Sequence, residues 1–365
     1  EVAEIHLGGV GREEFMSEDT GVAVVIDGGP VMQNGGKVRI NLEAIETIKV
    51  IKGSASYLYG NTARSGAVII TTKKAKNKNE YSAKLEVGSY GYRDVVATAN
   101  KGNEKLAFNI NANLRTDDGF WEESALETKS INGKLQYYID DSSDITFAAD
   151  VTNKYEESIR GNVTGVTLAR ENPAGVSDGN ISFTKDNDAS LDKYFLTYEK
   201  SLDNDSNLMV SAYHYNDLFD YQSTPYDSNA DGKEDLHGTV NREDMIQSGI
   251  KTEYRLGKPD AAMMLGLDVG KTGFEDRVDN IATYSANSRG RTSNYYDGEY
   301  TNLNSDENKY AMYGELLNSV TDKLTTTLNA RYDIQKFDYS VQVNDYDGSA
   351  WSLNTTSRDD SFKNA

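Results

Sequence analysis

The chain has 365 residues, a formal net charge of −20 at neutral pH and no cysteine. The negative charge argues against a nucleic-acid partner, because phosphate backbones are bound by basic surfaces. The lack of cysteine excludes disulfides, thiolate metal sites and cysteine nucleophiles. With 31 Gly, 24 Tyr, only 4 Pro and no long apolar run, the composition predicts a mainly β fold with many strands and turns.

A membrane-spanning helix needs about 20 consecutive apolar residues. The best apolar runs, Val22 to Ile26 and Ala261 to Leu267, are far shorter, so the sequence predicts no transmembrane helix. The strands of a transmembrane β-barrel alternate lipid-facing and lumen-facing residues and show only weakly amphipathic segments. The low hydropathy of this chain therefore does not exclude a transmembrane β-barrel.

The first 73 residues predict a compact, turn-rich α/β unit. Val22 to Ile26 form a short buried strand that ends at the turn signal Asp27 to Pro30. Asn41 to Glu46 begin a short helix with Asn41 as its N-cap. The remaining predicted elements are a strand at Ile48 to Ile51, a loop from Gly53 to Gly66 and a β-branched strand at Ala67 to Thr72.

After a basic linker at 73–78, apolar and polar residues alternate with a period of two. In one clear segment, Leu106, Phe108, Ile110, Ala112 and Leu114 are opposed by Ala107, Asn109, Asn111 and Asn113. Between residues 80 and 335 we count about eleven such segments, each near the length of a tilted membrane-spanning strand.

The connections between these segments alternate in length. The short ones are Lys101 to Glu104, Asp140 to Ser143, Leu202 to Ser206 and Leu256 to Asp260. The long ones are Thr116 to Glu127, Glu156 to Ala189, Leu218 to Glu243 and Phe274 to Asp306. Short turns on one side and long polar loops on the other are typical of an outer-membrane barrel, which we favour over a soluble sandwich.

Aromatic residues cluster near the ends of the predicted strands. Because amphipathic rings favour the membrane–water interface, they are candidates for aromatic girdles, although Tyr is also common in ordinary strands and loops. The candidates are Tyr90, Tyr92, Trp121, Tyr155, Tyr213, Tyr215, Tyr295, Tyr296 and Tyr300.

Four ordered motifs in the first 74 residues closely resemble the plug of TonB-dependent receptors. They are Val25 to Val31, Ile45 to Gly53, Ser54 to Gly60 and Gly66 to Lys74. One departure is Ser54, where the family commonly carries proline; it affects a turn. Gly53 and Gly60 are expected to allow tight turns, and Gly66 to permit close packing.

The resemblance implies the C-terminal part of a plug domain at 1–74, followed by the N-terminal part of an antiparallel transmembrane β-barrel at 79–365. Outer-membrane transporters with a plugged lumen have about 22 strands, so about eleven strands make half a barrel. We expect the natural N-terminus and a TonB box before residue 1, and the closing strands after residue 365. Because a half barrel leaves unpaired edges, we expect this chain alone neither to insert nor to transport.

The function that the resemblance implies is import across the outer membrane of a Gram-negative bacterium, energised by TonB. The implied partners are TonB, outer-membrane lipid and a scarce ligand, most commonly a ferric siderophore, with cobalamin or a saccharide as alternatives. No cofactor is required. A passive porin or surface adhesin is the competing class, and the segment resembling a plug argues against it.

The plug loop after the turn at Asp27 to Pro30 matches, by position, a loop that touches the ligand in the family. Gln33, Asn34 and Lys37 are the first candidates, because polar groups and a cation could bind an anionic chelate; a solvated turn is the competing interpretation. Weaker candidates, which could equally serve only packing, are Arg64, Trp121, Tyr155 and Arg160.

An acidic loop resembles the start of an EF-hand-type calcium site. Asp227, Asn229 and Asp231 occupy its first, third and fifth positions, with Gly232 sixth and Asp235 ninth. The twelfth position, which should carry a bidentate Glu, is Gly238. Bound Ca²⁺ and a solvated acidic loop therefore both remain open.

No enzyme pattern emerges from the sequence. His6, His214 and His237 are scattered, and neither nucleophile-elbow nor metal-hydrolase spacing occurs.

Overall fold

The computed structural model describes residues 2–4, 21–31, 37–39, 44–75, 78–121, 124–160, 170–172, 182–202, 205–223, 239–258, 261–281, 283–288, 291–321 and 324–364. The described residues of the N-terminal part form six strands: β1 (Val2–Glu4), β2 (Val22–Ile26), β3 (Gly29–Val31), β4 (Lys37–Arg39), β5 (Ile45–Lys52) and β6 (Gly66–Thr72). The helix α1 (Ser56–Tyr59) and a 3-10 turn at Gly60–Ala63 lie between β5 and β6. Among the described residues, no helix is long and apolar enough to cross a membrane.

The plug sheet has the order β3-β2-β6-β5 within the described residues, and β1 pairs separately with β4. The strand β2 runs parallel to β6 and is buried along its whole length. One face of β2 packs on the large sheet described below, and the other contacts Ala55 and Ala63 beside α1. Burial on both faces explains why this strand is a continuous apolar run.

The predicted turn after β2 is a two-residue hairpin. Asp27 and Gly28 both have positive φ, 47° and 88°, as a type I′ hairpin requires, so Asp-Gly suits this place. Gly53 and Gly60 also have positive φ, 88° and 76°, in agreement with their predicted turns.

Two predictions in the plug need correction. Ile45 and Glu46 belong to β5 rather than to a helix, because Ile45 pairs with Thr72 of β6; Asn41 lies outside the described residues. The segment Gly53 to Gly66 is not a plain loop, since it contains α1 and the 3-10 turn.

Twelve strands of the described chain form one antiparallel sheet, which we call the wall, and each pairs with its neighbours in chain order. They are β7 (Glu80–Val87), β8 (Arg93–Gly102), β9 (Leu106–Asp117), β10 (Leu126–Asp140), β11 (Ser143–Arg160), β12 (Ser182–Leu202), β13 (Ser206–Ser223), β14 (Thr239–Lys258), β15 (Ala261–Asn280), β18 (Tyr300–Thr321), β19 (Leu324–Tyr346) and β20 (Trp351–Asn364). Between β15 and β18 lies a small hairpin of β16 (Tyr284–Ser288) and β17 (Arg291–Tyr295). The mainly β prediction is confirmed. Eleven of the twelve wall strands begin between residues 80 and 335, as predicted, and β20 follows them.

The connections follow the predicted alternation. On one side, the turn side, they are 103–105, 141–142, 203–205, 259–260 and 322–323. On the other, the loop side, they are 88–92, 118–125, 161–181, 224–238, 281–299 and 347–350. The longest are shorter than predicted, because β11 to β15 and β18 continue as paired strands through polar stretches that carry no apolar alternation.

The amphipathicity of the wall is inverted relative to a water-soluble sheet. Its exposed outer face carries large apolar side chains, such as Ile131 (60% exposed) and Met312 (61%). The inner face carries buried polar ones, such as Asn111, Asp150 and Lys193, the last fully buried. An apolar outer band with a polar interior is the pattern of strands that face lipid.

The prediction that Tyr213 and Tyr215 belong to an aromatic girdle is wrong. Both are buried on the inner face of β13, where Tyr215 joins the core between plug and wall. Aromatic groups do cluster at the loop side. Tyr90, Phe120 and Trp121 form one cluster, and Tyr296, Tyr346 and Trp351 form another.

Candidate functional site

The plug sheet is seated on the inner face of the wall by an apolar core. Val22, Val24 and Ile26 of β2 project toward the wall, as alternate residues of one strand do. They share one buried cluster with residues of neighbouring wall strands, namely Leu191 of β12, Tyr215 of β13 and Met245 of β14. Phe274 of β15 packs at its margin. The plug and the wall therefore form one packed unit.

Gly29, at the start of β3, allows the plug hairpin to approach the wall closely. A Cβ at this position would lie 2.3 Å from Cε1 of Phe195 on β12. Phe195 is itself buried with Ala148 and Tyr213. Glycine is therefore required at this contact unless Phe195 moves.

We predict that Gly29→Ala lowers the free energy of unfolding of the intact receptor by about 1–3 kcal/mol, because the added methyl group overpacks this contact. Chemical unfolding in lipid, with limited proteolysis of the plug, measures the effect. Gly133→Ala is the control, since a Cβ there meets no atom closer than 3.6 Å. Phe195→Leu should rescue Gly29→Ala; equal effects of the two Gly→Ala changes would contradict the assignment.

A polar contact holds the same hairpin. Asp27 accepts hydrogen bonds from the backbone N–H of Thr72 at 3.0 Å and from its hydroxyl at 2.6 Å. The Lys134 ammonium of β10 donates to Asp27 Oδ1 at 2.8 Å and to the Thr72 carbonyl at 3.0 Å. One lysine of the wall thus ties together the two central plug strands, at the end of β2 and the end of β6.

A buried ion pair lies beside this contact on the inner face. Lys193 of β12 donates to Asp150 Oδ2 of β11 at 3.0 Å, and Asn132 of β10 donates to Asp150 Oδ1 at 2.6 Å. A small cavity between plug and wall touches Asp27, Lys134 and this pair. The pair satisfies charges that would otherwise be costly beneath the plug.

The helix α1 docks on a second polar region of the wall. Arg331 of β19 donates to the Leu58 carbonyl at 3.1 Å and forms an ion pair with Asp333 at 2.8 Å. Asp268 of β15 lies 3.6 Å from the same guanidinium. Tyr57 donates to Glu315 Oε2 of β18 at 2.6 Å.

The ring of Tyr59 adds a cation–π contact to this polar region of the wall, which we call the helix seat because α1 docks on it. The Lys251 ammonium lies 5.0 Å from the Tyr59 ring centroid and 5.6 Å from that of Tyr313. Lys251 also pairs with Glu253 at 2.9 Å, and Tyr313 donates to Glu253 at 3.0 Å. Because the groups are buried and mutually paired, the helix seat has one defined arrangement.

The phenols of α1 are protonated at physiological pH. Burial, reinforced by the nearby Glu253 carboxylate, raises the pKa of Tyr59 to about 12. Burial and the hydrogen bond to Glu315 also raise the pKa of Tyr57. The contacts of both rings in the helix seat are therefore those of neutral phenols.

The predicted ligand residues are only partly described. Gln33 and Asn34 lie outside the described residues, and so does the side chain of Lys37, whose backbone pairs with Glu4. Arg64 is exposed at the end of the 3-10 turn. The backbone of Arg160 ends β11 opposite Ser182, and its side chain is outside the description.

Trp121 and Tyr155 are not brought together. Trp121 packs on Phe120 in the connection 118–125. Tyr155 donates a hydrogen bond to Glu157 at 3.2 Å. Alternate residues of β11 share a face, so Lys154 lies on the inner face with the buried Asp150 and Tyr155 lies on the outer face. Tyr155 therefore points away from the plug. The predicted calcium ligands Asp227, Asn229, Asp231 and Asp235 all lie outside the described residues.

Sequence reasoning missed the residues that seat the plug. Lys134, Lys193, Arg331 and Lys251 all occupy inner-face positions of alternating strands. The available signal was a charged residue at an inward position of a strand, where burial requires a partner. The partners lie far away in the sequence and do not follow from spacing.

Comparisons with known proteins agree with this architecture. The family model of the TonB-dependent receptor plug domain matches residues 3–67. The ferrioxamine receptor of Yersinia enterocolitica is 24% identical over 172 residues, which cover 43% of this chain and 23% of that receptor.

Two solved receptors share the fold. The ferric yersiniabactin uptake receptor of Yersinia pestis has a TM-score of 0.69 at 14% identity, over 94% of this chain and 52% of that one. The ferripyoverdine receptor of Pseudomonas aeruginosa has a TM-score of 0.68 at 11% identity, over 94% and 47%. The chain thus spans about half the length of these receptors.

The plug-domain match covers the strands seated inside the wall, and the structural matches extend over nearly all of the wall. The wall itself has the outward apolar face of membrane strands. The chain therefore has a plug domain like that of TonB-dependent receptors at residues 3–67, followed by a wall with the fold of part of the barrel of such outer-membrane receptors.

Proposed function

We propose that the receptor imports a ferric siderophore across the outer membrane and that TonB supplies the energy. The observation that carries the proposal is the packing of the plug against the inner face of the wall. An apolar core holds the plug there, together with two polar contacts that we call the polar seats: Lys134 with Asp27, and Arg331 with the Leu58 carbonyl. A lumen filled in this way does not pass a large solute until the plug moves. The ferrioxamine receptor, 24% identical over its matched region, supports an iron chelate as cargo.

The two polar seats are the contacts that plug movement would have to break or slide past. Lys134 holds the ends of β2 and β6, and Arg331 holds the carboxyl end of α1. Plug movement would separate Lys134 from Asp27 and expose both charges to water, whereas Asp333 stays paired with Arg331 on β19. A pull on the plug thus acts against defined polar contacts and one apolar core.

Gln33, Asn34 and Lys37 stay our candidates for contact with the ligand from the plug side. Calcium binding at Asp227, Asn229, Asp231 and Asp235 also stays a prediction. Cobalamin and saccharides are the alternative cargoes. A passive porin or adhesin is the alternative class, and the seated plug disfavours it because a passive pore needs an open lumen.

Iron-limited growth tests the proposal. A strain that lacks its other siderophore receptors should grow on a ferric siderophore when it carries this receptor, and should fail when TonB is deleted. Growth without TonB, or no growth on any of a panel of ferric siderophores, would contradict it. Deleting residues 1–73 separates the classes, because loss of the plug should open a conducting pore in a plugged receptor and change little in an adhesin.

A further inference from the structure

The base of the connection 281–299, at the loop-side rim of the wall, is organised around one buried carboxylate. Glu299 is only 7% exposed. Its Oε2 accepts hydrogen bonds from the side-chain amide of Asn280 at 3.0 Å and from the backbone N–H of Tyr296 at 2.8 Å. Its Oε1 accepts a hydrogen bond from the backbone N–H of Tyr346 at 3.3 Å. One side chain thus joins the end of β15, the connection itself and the end of β19.

Further hydrogen bonds close the same base. The backbone N–H of Asn280 donates to the Glu299 carbonyl at 2.8 Å, and the N–H of Gly298 donates to the Asn280 carbonyl at 3.0 Å. The side-chain amide of Asn344 on β19 donates to the Gly298 carbonyl at 3.2 Å. The two ends of the connection are therefore tied both to each other and to β19.

Aromatic rings set the direction in which this base leans. The Tyr296 ring packs edge-on against Tyr346 with centroids 4.8 Å apart, and the Tyr346 centroid lies 5.1 Å from that of Trp351 on β20. Alternate residues of β19 share a face, so Tyr346 lies on the outer face with the exposed Tyr332 and Leu328. The base of the connection therefore leans outward over the rim, away from the lumen.

The neighbouring connection 347–350 is a turn with its own hydrogen bonds. Asp347 accepts them from the hydroxyl of Ser349 at 2.7 Å, from its N–H at 2.8 Å and from the N–H of Ala350 at 2.9 Å. These hydrogen bonds, that of the hydroxyl first, hold the pKa of Asp347 below its usual range. The aromatic rings at the base of the connection 281–299 therefore rest beside a turn of defined shape.

We infer that Glu299 is a clasp that fixes the connection 281–299 to the outer rim as a static arm, rather than leaving it as a mobile lid over the lumen. The hairpin of β16 and β17 belongs to this arm. Hydrogen bonds to a charged group are stronger than neutral ones, and Glu299 accepts three, so the arm rarely separates from the rim. One consequence rests on the proposed import of a ferric chelate: the cargo enters without movement of this connection.

Limited proteolysis of the intact, ligand-free receptor in lipid tests the clasp. Glu299→Gln keeps the shape of the side chain but replaces one acceptor oxygen with an amide donor. We expect cleavage within 281–299 to become at least about tenfold faster, as the loss of one charge-assisted hydrogen bond provides. The matched control is Asp345→Asn. Asp345 lies at the same end of β19 but is exposed, and its side chain has no hydrogen bond among the described residues, so cleavage should stay unchanged.

A reversible lock tests whether the arm moves with the cargo. Cysteines replace the exposed Asp297 on the arm and the exposed Ser349 on the neighbouring turn, in a receptor without other cysteines, and a thiol-cleavable cross-linker joins them. The locked receptor should bind and import a ferric siderophore as well as the same receptor after the cross-linker has been cleaved. Each single-cysteine variant, treated with the same reagent, is the control.

Equal cleavage rates in Glu299→Gln and Asp345→Asn overturn the clasp. Loss of siderophore binding or uptake in the locked receptor, with recovery when the cross-linker is cleaved, overturns the static arm. The proposed function fails separately, if no ferric siderophore supports growth; proteolysis of the ligand-free receptor then still decides the clasp.

Discussion

Leu267→Arg is expected to destabilise the intact receptor in lipid by about 2–4 kcal/mol, the cost of a cation on the lipid face near the bilayer centre. Leu267 is 54% exposed on the outer face of β15, and the apolar residues Leu265 and Val269 flank it on that face. Water around this face would make the change nearly neutral, whereas hydrocarbon makes it costly. Chemical unfolding in lipid vesicles, followed by the fluorescence of Trp121 and Trp351, measures the difference.

The control for this prediction is Asn304→Arg. Asn304 lies on the outer face of β18, opposite Glu275 and beyond the apolar band, so the new arginine meets a carboxylate. We expect a change of less than about 1 kcal/mol there, because the cost of a charge falls toward the interface. Equal effects of the two substitutions would mean that the outer face does not contact lipid.

Arg331→Met is expected to cost about 3–5 kcal/mol, because it removes the cation that pairs with the buried Asp333 carboxylate. Arg331 is 6% exposed and lies against Asp333 and Asp268. The change also removes the donor to the Leu58 carbonyl of α1, so the plug should become more sensitive to protease. Unfolding and limited proteolysis of the intact receptor measure both effects.

Lys129→Met supplies the matched control, because Lys129 also pairs with a carboxylate two residues away, Glu127, but is 60% exposed. Exposed pairs contribute about 0–1 kcal/mol, so little change is expected. Adding Asp333→Asn to Arg331→Met should recover part of the loss, since the two residues are coupled. Unchanged stability in Arg331→Met would rule out the helix seat as a structural contact.

Much of the fold could be predicted from the sequence, because its signals are local. The alternation from Leu106 to Leu114 correctly separates an outward apolar row from inward Asn109 and Asn111. The Asp27-Gly28 turn and the β-branched run that becomes β6 follow from backbone preferences of single residues. These features need no knowledge of distant residues.

The plug seats could not be predicted, because their partners are far apart in the chain. Lys134 and Asp27 are separated by 107 positions, Tyr57 and Glu315 by 258, and Arg331 and Leu58 by 273. Periodicity assigns a residue to a face but not to a contact. The continuation of the wall strands beyond the apolar band could not be predicted either, because their paired polar residues show no hydrophobic periodicity.

Apolar side chains of the wall face lipid, while the alternate residues of the same strands face the plug. These residues contain no cysteine, so single cysteines can be placed along β9 from position 106 to 113 and spin-labelled in an intact receptor from which any other cysteine has been removed, in lipid vesicles. Oxygen accessibility is predicted to alternate with a period of two, high at Leu106, Phe108, Ile110 and Ala112 and low at the residues between them. Accessibility to a water-soluble nickel chelate at those four outward positions, or no alternation at all, would contradict the claim.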